Sequence, residues 1–179
     1  MQAHDILHFW FEELTPAQHF AQSDALDAQI RNRFGATWQA ARKCELWTWR
    51  ATPLGRLAEI LVLDQFSRNL HRGSPLAFAQ DAHALALAQE LVAGGHDATL
   101  TPVQRAFAYM PYMHSESAAI HARALVLFDQ PGLENNLQFE VRHRDIIARF
   151  GRYPHRNAVL GRSSTPEELA FLQQPGSSF

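Results

Sequence analysis

The chain has 179 residues, 46% apolar and 11% aromatic, which is enough for one domain (residues 1–179) with a sizeable core and argues against disorder. A formal net charge of -2 gives no general attraction to nucleic acid or to an acidic membrane surface. The single cysteine, Cys44, excludes a disulfide framework and a thiolate metal cluster.

The cations carry more information. Of the 16 basic residues all but Lys43 are arginine. Arginine suits bidentate pairing with carboxylate or phosphate, although GC-rich codon usage yields the same excess with no function attached. The N-terminus lacks the cationic start and small-residue cleavage site of a secretory signal, and no uncharged apolar run approaches the ~20 residues that span a bilayer. The expectation is a soluble cytoplasmic protein.

In chain order, a first helix is predicted from about Ala3 to Leu14, with Ile6, Leu7, Phe9, Trp10 and Phe11 directed to the core. A long second helix from about Asp24 to Glu45 places Leu26, Ile30, Phe34 and Trp38 at steps of four, and Trp47 and Trp49 follow in the connection. The stretch Leu57 to Arg72 reads as a central helix. Leu57, Leu61, Asp64, Arg68 and His71 or Arg72 share one face, and Ile60, Leu63, Phe66 and Leu70 form a second apolar stripe. Gly73 ends it, and an alanine-rich helix runs from Pro75 to about Ala93. Thr101 to Tyr109 reads as a short helix that Pro111 should break. Ser115 or Ser117 caps a helix to about Phe128, and Leu133 to Phe150 forms another, with Gly151 as its terminator. A last helix covers Pro166 to about Gln173.

Five hydroxyl and proline pairs mark helix starts: Thr15-Pro16, Thr52-Pro53, Ser74-Pro75, Thr101-Pro102 and Thr165-Pro166. Gln18, Gln104 and Glu168 complete capping boxes in three of them. Neither sustained alternation nor an Asn-Gly or Asp-Gly turn is present, so the predicted fold is all-α.

Two arginine clusters stand out as candidate chemistry. The polar end of the central helix carries Asp64, Arg68, Asn69 and Arg72. The segment from Arg142 to Arg162 holds six arginines and two histidines against one acid, Asp145, and includes the loop Arg152-Tyr153-Pro154-His155-Arg156-Asn157. If the two face each other, Arg68, Arg72, Arg152 and Arg156 would hold a phosphate or carboxylate, with Asn69 and Asn157 orienting it. The competing reading spends the same arginines on Asp64, Glu59, Asp145 and Glu116 in structural ion pairs. His114, oriented by Glu116, and His155 are the candidate acid/base groups, with Ser115 a weaker nucleophile candidate. His121 and His143 fit hydrogen-bonded core histidines. No HExxH, GxGxxG or GxxxxGK occurs, so no metal and no cofactor is expected.

Four sets of residues resemble an uncharacterised bacterial family, domain of unknown function 924: Phe9-Trp10-Phe11, Leu63 to Arg72, His114-Ser115-Glu116, and Phe150 to Asn157 with Leu160-Gly161-Arg162 and Ser164-Thr165. The resemblance covers nearly the whole chain, with Tyr153 standing where the family pattern leads one to expect phenylalanine. It implies antiparallel helix pairs stacked in a right-handed superhelix similar to tetratricopeptide-repeat arrays, with about seven to nine helices. It implies no catalytic residue, since the family has no established activity. Three functions follow as expectations: a pocket for a small anionic ligand, a hydrolase-type enzyme using His155 or His114, and a groove for a protein or peptide partner. Neither nucleic acid nor a membrane is an expected partner, and the aromatic content would permit a homodimer.

Overall fold

Each of the five hydroxyl and proline pairs opens a helical segment in the computed structural model, which describes residues 1–178. The three capping boxes form as well, at Thr15, Thr101 and Thr165. Helix α1 (Ala3–His8) runs on through a π-helical turn, Phe9–Glu13. It is followed by α2 (Pro16–Phe20) and α3 (Asp24–Arg42). Helix α4 (Pro53–Leu61) continues through a π-helical turn, Val62–Phe66, and a last α-turn, Ser67–Leu70, to make the central helix. Then come α5 (Asp81–Ala93), α6 (Pro102–Met113), α7 (Ala118–Phe128), α8 (Glu134–Phe150) and α9 (Pro166–Leu172). Counted this way there are nine helices and no strand among the described residues.

The central helix is central in the literal sense. Helices α1, α5 and α6 all pack on it, and Leu57 to Leu63 are wholly buried. Its aromatic surroundings interlock: Phe66 lies 5.3 Å from Phe34 and 5.7 Å from Trp10, and Trp10 meets Phe107 edge-on at 5.5 Å. Such offset and edge-on pairs add to what burial alone contributes. Trp38 ties α3 to the same rod, its indole N–H donating to Ser67 Oγ over 2.8 Å.

Three expectations about helix bounds need correcting. Pro111 does not break α6, which runs to Met113. Residues 106 to 113 are all buried, and that packing outweighs the one backbone hydrogen bond a proline removes. The long second helix stops at Arg42 rather than Glu45, because Cys44 takes a left-handed backbone with φ 60°. Ser74-Pro75 opens a single 3-10 turn, and the α-helix proper begins only at Asp81.

Apolar side chains gather in two places. The main core takes residues from Ile6 to Leu133, and a small separate cluster of Ile146, Ile147 and Tyr153, flanked by Phe150 and Phe171, lies at the C-terminal end. Between them, α7 and α8 carry buried polar groups, His121, Glu140 and His143. The seam between the two clusters is therefore polar, and the candidate site lies along it.

Candidate functional site

The π-helical turn of the central helix sets Asp64 in the core with no exposure, where an unpaired charge would be very costly. Its Oδ1 lies 2.7 Å from His114 Nδ1 and 3.1 Å from Arg68 Nη1, and its Oδ2 accepts from Gln65 at 2.5 Å. Burial works against ionisation of Asp64, yet Arg68 and His114 together hold its carboxyl below the usual range. A carboxylate so ionised fixes the proton of neutral His114 on Nδ1, so Nε2 keeps the lone pair. Burial, then the Arg68 charge, pushes His114 below an ordinary histidine, with Asp64 opposing.

Arg68 reaches onward to Asp81, the first residue of α5, at 3.1 Å. There it meets Arg156, which donates to the same carboxylate at 3.1 Å and to the His114 carbonyl at 3.0 Å. Both guanidinium groups lie over the Phe78 ring, at 5.7 and 4.6 Å, and Arg156 also covers Tyr153 at 4.6 Å. Arg156 is almost fully buried, and its Nε finds no acceptor among the described residues. Burial, with Arg68 adding to it, lowers the Arg156 pKa, while Asp81 opposes. Two segments 88 residues apart thus bring their arginines to one carboxylate.

Of the residues singled out in the sequence, the structure brings together Asp64, Arg68, Arg156 and His114. It sends the others elsewhere. Arg72 and Asn69 both bond Asp27 of α3, at 2.5 and 2.7 Å, because the last turn of the central helix points them at that neighbour. Arg152 grips Glu168 of α9 at 2.6 Å, holding that carboxyl down at about 2. Asn157 bonds Ser164 and Arg162. Glu116 does not orient His114. It takes a bidentate grip from Arg162 and the Tyr153 N–H, and Asp64 has the role instead. Glu59 is spent on Arg50 and Asp145 on Arg144.

His155 sits beside Tyr153, with ring centres 5.5 Å apart, and burial with Arg156 pushes it down to about 4. His121 and His143 are core histidines. The first bonds Glu140 at 2.7 Å, and the second bonds the Phe139 carbonyl at 2.7 Å and is pushed to about 3, chiefly by burial. The Tyr153 hydroxyl donates to the Met113 carbonyl at 2.5 Å and lies 3.2 Å from His121 Nε2, so the position expected to hold phenylalanine instead anchors the loop.

Sequence reading missed Asp81, Phe78 and Asp27. Asp81 could be noticed as an acid opening a helix, but nothing local ties it to Arg68 or Arg156. Among the described residues no group of histidines, acids and cysteine is arranged to hold a metal ion, and no helix is long and apolar enough to cross a membrane.

Residues 6–176 match the model of a bacterial family described as proteins of unknown function, DUF924. A solved structure of a protein of unknown function from Agrobacterium tumefaciens is similar over 96% of both chains, with 39% identity and a TM-score of 0.90. No functionally curated protein gives a significant match.

Proposed function

The chain belongs to the DUF924 family of bacterial proteins, and we propose that this member holds a small anionic ligand, bearing a carboxylate or phosphate, on the guanidinium groups of Arg68 and Arg156. The observation that carries the reading is the sharing of one carboxylate, Asp81, by two arginines, one of which keeps a buried Nε without an acceptor. Asp64 and Asp81 already balance the two positive charges. A ligand therefore enters by replacing Asp81, not by adding a third negative charge beside it. Titration calorimetry with inorganic phosphate and with succinate tests this. Asp81→Asn should tighten binding about tenfold and Arg156→Met should abolish it. Equal affinities in wild type and both variants would sink the reading.

A second reading rests on the 2.7 Å bond between Asp64 and His114. With Nδ1–H given to Asp64, His114 Nε2 would take a proton from water as its oxygen attacks an acyl or phosphoryl centre. The same proton then passes to the departing oxygen or nitrogen, and Arg68 and Arg156 stabilise the charge that develops. Screening phosphoesters and amides decides it. Activity lost in His114→Gln and kept in His155→Ala supports His114, and activity kept in His114→Gln removes it.

A further inference from the structure

Away from this site, α3 and the end of the central helix border an open surface hollow of about 380 Å³, lined by Arg31, Gly35, Trp38, Gln39, Leu70 and His71. Its volume falls in the range of small-molecule sites. Three features single it out. Gly35 stands mid-helix, where glycine costs stability, yet a methyl group added there would meet no atom within 4 Å. Nothing among the described residues requires that glycine, and its missing side chain keeps the hollow open.

The hollow is also cationic. Burial, then Arg31 and Arg42, hold His71 below the ordinary histidine value. The acid nearest along the helix, Asp27, is taken up by Arg72 and Asn69. Finally, His71 Nε2 is buried without a hydrogen-bond partner among the described residues, and an unmet polar group of that kind is costly. Arg31 gives one N–H to the Leu70 carbonyl at 3.3 Å and has further donors. Apart from Gln39, the remaining wall is apolar: Leu70, and Trp38 packed 4.4 Å from the His71 ring.

From these together we infer that the hollow is a second binding site, for a small organic anion whose carboxylate meets Arg31 and His71 and whose flat apolar body lies over Gly35 beside Trp38. The site is separate from the Arg68 and Arg156 cluster and stands or falls independently of it. The probe is benzoate, with inorganic phosphate as the charge without the body, followed by NMR at the Gly35 amide and the His71 ring. Benzoate should shift both signals and raise the His71 titration midpoint. Gly35→Leu, which fills the hollow, should weaken binding about tenfold while thermal stability holds or rises. Arg31→Gln should weaken it about fivefold, and Arg156→Met should leave it unchanged. Absence of shifts at Gly35 and His71, wild-type affinity in Gly35→Leu, or phosphate binding as well as benzoate would each overturn the inference.

Discussion

His114 Nδ1 donates to Asp64 Oδ1 over 2.7 Å, although 50 residues separate the two along the chain. The bond joins the loop after α6 to the middle of the central helix, inside the core. Asp64→Ala would strip Arg68 and His114 of a shared acceptor, and leaving buried charge uncompensated costs about 3–5 kcal/mol. Urea unfolding should show that loss. Asp64→Asn keeps the shape and should cost less. It also frees the imidazole to change tautomer, which nitrogen chemical shifts of His114 would report.

Acid should weaken the fold before most of its carboxylates protonate, Glu140, which burial raises, being the exception. His143 and His155 are pushed from 6.5 to about 3 and about 4, so between those values the unfolded chain binds protons that the folded chain does not. Stability is then complete above pH 6.5 and falls as pH drops toward 4, by at most about 1.4 kcal/mol per pH unit for each histidine. Asp64 is lowered as well, so it adds its loss in the same direction, but only as pH falls below its ordinary value of 3.8. Urea midpoints measured against pH check the slope, and His143→Gln should flatten it.

Two helical glycines should answer oppositely to alanine. Gly35→Ala meets no neighbour and should stabilise by about 1 kcal/mol. At Gly55 the added carbon would overlap the Trp49 carbonyl oxygen, a backbone atom, so the 3-10 turn before α4 must shift. Gly55→Ala should lower the thermal midpoint, and calorimetry on both variants would compare them directly.

Ion pairs should differ in weight according to burial. Asp27 receives both Arg72 and Asn69 and is nearly buried, so Asp27→Ala should cost about 3 kcal/mol in urea unfolding. The Arg33 to Glu13 pair has both side chains about a third exposed, and Glu13→Ala should move the midpoint little.

Much of this was legible beforehand because helix starts are local chemistry. A threonine followed by proline, with glutamine or glutamate three residues from the cap, acts within one turn, and all three capping boxes formed. The central helix was legible from its periodicity. Partner choice was not, since it depends on which helix lies opposite. Arg68 and Arg72 sit one turn apart on the same rod, yet one faces Asp81 and the other Asp27. No pattern within residues 57–72 distinguishes them. Pro111 misled for the same reason, its local penalty being set against burial that only the assembled core supplies.

The polar seam has a dynamic consequence. The N-terminal core is interlocked by aromatic rings, whereas residues from about 140 onward are joined to it through His121, Glu140, Glu116, Arg162 and Arg156. Ring packing is indifferent to acid and salt, but that join is not. Amide hydrogens in α8 and α9 should therefore exchange through a partial opening that grows in acid, while those of the central helix wait for the whole molecule to unfold.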